Sequence, residues 1–298
     1  MAFLRGLKSM TVRSGRAAVQ AAGAASGSHR FWQILASLVS IAASGVSMPT
    51  TVCAGESGAT NSEILRSFAP AKPVNFREPE RSYAMTNLNG WTLQLEQELL
   101  DRQPVLAQRA ANRLAAKLAG VMDLLPRRAH GVLRRLPVFL LLGEESVHGG
   151  HDNGAEYFQR QAPDHWPLLD RRWRSALVVY SAPNYDQLSE QWATRVLVHE
   201  LAHAWQLEQW PEKQPDILGA WEQAVQKGLY LKVKAANGSV IERAYAMENQ
   251  LEYFAELSMA YFWRGEYEPL DRAALRERDP AGFAMIEKMW GIHGPPPP

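Results

Sequence analysis

The sequence predicts an α+β fold, mostly helical with a small sheet, and three observations carry that expectation. Short runs of strand character recur at residues 91–96, 137–142 and 175–180. Residues 104–124 repeat their apolar side chains with the period of a helix. A second stretch, 195–205, is apolar nearly all round, as a buried helix is.

Composition bounds the rest. Apolar residues make up 46% of the 298-residue chain and charged residues 21%, which suits one globular domain. The formal net charge of +1 hides an uneven distribution. Arg5, Lys8, Arg13, Arg16 and Arg30 all precede the first acid, Glu56. Without those five, 27 basic residues face 31 acidic ones, a net charge of −4, which argues against nucleic acid as a partner.

Residues 1–54 read as an export signal or an N-terminal membrane tether. A basic segment ends at Arg30, an apolar core runs from Phe31 to about Val46, and Val52-Cys53-Ala54 before Gly55 fits a small-x-small cleavage site. The apolar core is short for a membrane span, so an extracytoplasmic protein, secreted or periplasmic, is expected. Cys53 is the only cysteine, which leaves His and carboxylates as the metal ligands of the mature chain. Residues 55–82 read as a polar linker, 83–293 as the folded domain and 294–298 as a proline-rich tail.

Within 83–293, Asn87-Leu88-Asn89-Gly90 is a turn signal. Trp91, Leu93 and Leu95 then alternate with Thr92, Gln94 and Glu96, as in a half-buried strand. Leu106, Ala110, Leu114, Leu118 and Val121 share one helical face, with Arg109, Arg113 and Lys117 outside. A short helix follows Pro126, and its Arg127, Arg128, Arg134 and Arg135 read as a solvated face. The wholly apolar PVFLLL at 137–142 is a buried strand. Residues 144–164 hold Gly149, Gly150 and Gly154 and read as a loop, whose His148 and His151 either bind a second metal or face solvent. SALVVY at 175–180 is the next strand, expected to offer its edge to an extended peptide. Asn184 with Gln187 resembles a capping box, opening a helix that ends before Pro211. Asn237-Gly238, between 229–236 and 239–246, predicts a type I′ hairpin. Asn249 caps a helix over 250–263, and Pro280 opens a last one through Trp290.

The helix around 195–205 reads RVLVHELAHAW and contains His199-Glu200-Leu201-Ala202-His203. Positions four apart lie above one another on a helix, so both imidazoles aim at one point with Glu200 beside it. This is the arrangement of a zinc hydrolase, with two ligands and a carboxylate placed to take a proton from water. Two histidines and a glutamate in a buried helix are costly without partners, and a metal satisfies them together.

Catalytic zinc usually takes three protein ligands. Glu252 is the best third candidate, because a carboxylate inside the aromatic-rich run Glu252-Tyr253-Phe254-Ala255-Glu256 is expensive unless paired. Glu256, one turn on, would accept the N–H of a ligating imidazole. The competing role for Glu252 is a capping box with Asn249.

His199-Glu200-x-x-His203 followed by helical Glu252-x-x-x-Glu256 resembles the gluzincin class of zinc metallopeptidases. Within that class it looks most like the type of the anthrax lethal factor catalytic domain and a group of related exported bacterial proteins. The specific likeness covers about residues 175–263, and Ala202 stands where the lethal-factor type has glycine. The resemblance implies a zincin-like fold, with a small mixed sheet packed on the motif helix. It also implies a Zn2+ cofactor, and a tyrosine seven residues before the ligand glutamate that assists catalysis. That position is Tyr245. The function so implied is an exported zinc peptidase acting on peptide or protein substrates, with Glu200 as general base. A zinc-binding regulatory or protein-interaction module on the same fold is the alternative, and a metal-free structural protein the third.

Overall fold

Leu88 faces Trp91 across a two-residue turn, and the sheet begins there. Asn89 and Gly90 both have positive φ, 51° and 77°, which is the type I′ pattern that matches strand twist. The turn joins β1 (Tyr83–Leu88) to β2 (Trp91–Glu96) in antiparallel register, from Tyr83 opposite Glu96 onward. The computed structural model describes residues 80–160 and 170–292. The export segment, most of the linker and the tail lie outside them. Among the described residues no helix is long and apolar enough to cross a membrane.

The chain is mixed α+β and helix-rich. After β2 come α1 (Gln97–Arg102), α2 (Pro104–Leu124) and α3 (Arg127–Leu133). Then follow β3 (Val138–Leu140), β4 (Ala155–Phe158) and β5 (Ala176–Val179). The second half holds α4 (Ala182–Gln187), α5 (Glu190–Gln209) and α6 (Pro215–Gln226). A hairpin of β6 (Leu231–Lys234) and β7 (Val240–Arg243) precedes α7 (Gln250–Phe262), α8 (Arg272–Arg278) and α9 (Pro280–Trp290).

The five-stranded sheet is ordered β1-β2-β3-β5-β4. β2, β3 and β5 run parallel, and β4 closes the edge antiparallel to β5. One face, with Leu93, Val138, Leu140, Leu177 and Val179, packs into the main core with α2, α5 and α7. The other face carries a smaller cluster of Phe139, Phe158, Trp173, Val178 and Tyr180. Burial on both faces explains why the runs at β3 and β5 are apolar without alternation.

Four sequence expectations change here. Residues 175–180 offer no edge, because β5 lies between β3 and β4. The edge strand is β4, which arises within the stretch read as a glycine-rich loop. Asn184 does not cap the motif helix. Ser181 caps the short α4, with Pro183 in its first turn, and Ser189 caps α5 separately by accepting from Trp192 N. At the second hairpin Gly238 has φ 86° and Asn237 is not in the positive-φ region. Gly238 N donates to Ala235 O, so the turn is a type I turn followed by a left-handed glycine.

The loop after β3 is tied down by a buried acid. Glu96 accepts from Arg81 Nε at 2.9 Å and from Leu142 N at 2.7 Å, and Ser146 Oγ lies 2.8 Å from it. Arg81 also donates to Gly149 O. Glu98 accepts from Arg102 and from Val147 N. His148 comes within metal-ligating reach of Glu96 and Glu98, yet each carboxylate oxygen there already has a donor. His151 is elsewhere, packed on Tyr180 with ring centroids 4.4 Å apart. The two histidines therefore do not share a site. Glu96→Ala removes the carboxylate that the buried Arg81 guanidinium pairs with, and a loss of about 3–5 kcal/mol is expected, read as a lower urea midpoint. An unchanged midpoint would show that this knot does not hold the loop.

Behind the site, Asp279 caps α9 through Gly282 N and accepts from Tyr230 and Tyr253 hydroxyls at 3.0 and 2.6 Å. A Cβ at Gly282 would meet Tyr253 Oη at 2.4 Å and Leu257 Cδ2 at 2.5 Å, so only glycine lets α9 approach α7 this closely.

Candidate metal centre

The motif helix α5 and helix α7 pack side by side, and the site lies between them. Leu197, Leu201 and Trp205 bury one face of α5, which turns His199 and His203 toward α7. On α7, Asn249 accepts from the N–H groups of Leu251 and Glu252. The cap is therefore real, but the Glu252 carboxylate does not fold back to it. It reaches the histidines.

The three ligand atoms form a tight triangle. His203 Nε2 is 3.0 Å from His199 Nε2, and Glu252 Oε2 is 3.1 Å from His199 Nε2 and 3.2 Å from His203 Nε2. Zinc bonds of about 2.0–2.1 Å in a tetrahedron give ligand–ligand edges of about 3.3 Å. All three residues are buried, at 8, 6 and 2% exposure. Three acceptor atoms at this spacing repel unless a cation or a proton lies among them. The donor set of two imidazoles and one carboxylate, with no thiolate, is that of a catalytic zinc site. The residues thus fit Zn2+.

Support for the ligands comes from further out. His199 Nδ1 lies 3.1 Å from Glu256 Oε1, which aims the other ring nitrogen at the triangle. The Tyr267 hydroxyl accepts from Ala246 N at 2.9 Å, and burial with the nearby Glu256 charge pushes that phenol well above its ordinary range. Arg195, one turn before His199, pairs with Glu266 at 2.5 Å, and both are largely buried. Four buried or nearly buried carboxylates (Glu200, Glu252, Glu256 and Glu266) thus surround two imidazoles and one guanidinium, an excess of negative charge that a divalent ion offsets. Sequence reading missed Arg195, Glu266 and Tyr267. Only Arg195 left a signal, as a lone charge in an apolar helix.

Glu200 faces the edge strand. Tyr157 N donates to Glu200 Oε2 at 2.8 Å, and the Tyr157 hydroxyl donates to Glu208 on the same helix at 2.6 Å. One residue of β4 therefore clamps the strand to α5 at two points. Burial pushes the Glu200 carboxyl up to about 7, against the pull of the two histidines and the Tyr157 amide.

Tyr245 closes the site from the other side, in a 3-10 turn (Tyr245–Met247) leading to α7. Its ring stacks on His199 with centroids 6.2 Å apart. Burial and the Glu252 charge push its phenol well above its ordinary range. All six residues expected from the sequence converge here.

Burial opposes protonation of His199, yet hydrogen bonds to Glu252 and Glu256 outweigh it and hold the imidazole up to about 10. Burial raises the Glu252 carboxyl, but His203 and His199 beside it outweigh that and hold it well below the usual carboxylate range. At pH 7 the metal-free His199 thus carries a proton that a cation must displace. Zinc binding is expected to release at least about one proton at pH 7, with affinity rising as pH rises toward about 10. Calorimetry in buffers of different ionisation enthalpy measures this, and zinc uptake without proton release would exclude His199 Nε2 as a ligand.

No family model matches the chain, and neither a curated protein nor a solved structure is found to be similar to it.

Proposed function

We propose that the chain is an exported zinc-dependent peptidase of gluzincin type, on a zincin-like fold. One observation carries the reading: the His199–His203–Glu252 triangle with the Glu200 carboxylate beside it on the motif helix. When bound, zinc supplies Lewis acidity, polarising a carbonyl and acidifying water.

The chain's own groups do the rest. Glu200 takes a proton from the attacking water and passes it to the leaving nitrogen as the C–N bond breaks. A carboxyl poised at about 7 exchanges protons readily near neutrality. Tyr245 donates its phenol hydrogen to the substrate carbonyl oxygen as negative charge develops there. Gly154 O is bonded by Tyr180 N, so by alternation Ala155 and Tyr157 turn their backbone groups away from β5. An extended substrate adds to that outer edge of β4.

A second reading is a zinc-binding interaction module with little turnover. It is favoured by one fact: the Glu200 carboxylate is already engaged, by Tyr157 N. Digestion of a mixed peptide library separates the two. Cleavage that a chelator abolishes and zinc restores is expected. Zinc bound at one per chain with no cleavage across the library would favour the module.

A further inference from the structure

His199, His203 and Gln206 follow one another at spacings of four and three on α5, so all three lie on the face turned toward α7. The first two bring their Nε2 atoms to the metal triangle. Gln206 is wholly buried, at 0% exposure. Its amide oxygen and its amide nitrogen both lack a hydrogen-bond partner among the described residues. An amide buried in that state is costly and rare.

The two histidines are served unequally. His199 Nδ1 has Glu256 behind it at 3.1 Å. His203 Nδ1 is buried with no hydrogen-bond partner among the described residues. Yet a neutral imidazole that ligates through Nε2 carries its proton on Nδ1, and that N–H needs an acceptor. Gln206 is placed to supply one. Residues three apart on a helix hold their Cβ atoms about 5–6 Å from each other. Helical side chains lean toward the N-terminus, so Gln206 covers the turn that holds His203. An acceptor reached through one water serves nearly as well as a direct one. An amide also suits the local charge. Glu200, Glu252, Glu256 and Glu266 already crowd the centre, and Gln206 accepts a hydrogen without adding a fifth negative charge.

We infer that Gln206 is the positioning residue of the second zinc ligand: through one buried water its amide oxygen takes the Nδ1–H of His203 and fixes the aim of that ring. The inference rests on the zinc site of the peptidase reading and adds a residue outside the motif that governs metal affinity.

Gln206→Met tests it, because methionine is an unbranched side chain of similar length that adapts to the same space without the amide. Zinc affinity of the purified chain, measured by competition against a chromophoric chelator, should fall about 10–100-fold. The metal-free variant should unfold at the same temperature as the wild type or a higher one, since two unsatisfied polar atoms are gone. A packing role alone would do the reverse, lowering the midpoint and leaving zinc affinity unchanged. In the zinc-loaded wild type the His203 Nδ1–H proton should be seen by NMR, shielded from exchange, and it should vanish in the variant. Gln206→Leu serves if Gln206→Met does not fold. Undiminished zinc affinity, or a His203 proton signal that the variant leaves in place, would overturn the role. Peptide cleavage by the wild type is read separately: a zinc loss of this size in a chain that cuts no peptide would remove the peptidase and keep the role of Gln206.

Discussion

Glu200→Gln should give a folded protein that binds one zinc per chain and hydrolyses peptides about 10²–10⁴-fold more slowly than the wild type. The amide keeps the shape of the side chain and can still accept the Tyr157 N–H, so β4 stays clamped to α5. What it cannot do is accept a proton from water. Stability should move the other way. A carboxyl raised in the fold to about 7 binds its proton more tightly there than in the unfolded chain. Its contribution is full below the unfolded value and is lost as pH rises through about 7. At pH 8 the wild type bears the whole cost of a buried ionised group, and glutamine does not. The variant should therefore unfold at a higher temperature than the wild type at pH 8, with the gap closing toward pH 5. Undiminished hydrolysis would exclude Glu200 as the base, and a lower midpoint would show that its burial is not the source of its raised pKa.

Glu252→Ala should weaken zinc binding by more than the 10–100-fold typical of outer partners, since it removes a ligand rather than a support. Competition against a chromophoric chelator measures this. Two further changes accompany it. The negative charge that helps hold a proton on metal-free His199 disappears, so that imidazole should titrate well below 10. The charge that raises the Tyr245 phenol is removed as well. Glu256→Gln makes the contrast. It removes a charge behind His199 but leaves all three ligand atoms in place, so zinc affinity should fall by about 10–100-fold only. Equal losses in the two variants would mean that Glu252 supports the site without binding metal.

The parts of this site that were legible in the sequence share a cause. His199, His203, Glu252 and Glu256 are polar groups in helices that are otherwise apolar, and burying them without partners is so unfavourable that partners could be expected. Helical spacing then said which of them face one another. What stayed hidden acts through the backbone or through the ends of chain segments. Tyr157 holds Glu200 by its amide, a group every residue but proline has, so no side chain announced it. β4 is four residues long and buried on both faces, too short to show a period, and the glycines before it read as loop. Glu266 and Tyr267 follow α7 in an irregular stretch where no spacing rule applies. Helix starts failed for a more local reason. Asn184 is an acceptable cap, but Ser181 with a proline two residues on makes a better one, and Ser189 was free to start the next helix.

The hydroxyl of Tyr267 receives the amide of Ala246, next to Tyr245, and lies in the field of the Glu256 charge behind His199. One oxygen atom thus anchors the turn that carries a phenol and borders the carboxylate that aims an imidazole. A substitution that disturbs it would be felt on both sides of this cleft at once. A diverging chain is freer to vary the exposed hairpin tip at Asn237 and Gly238 than this shared anchor.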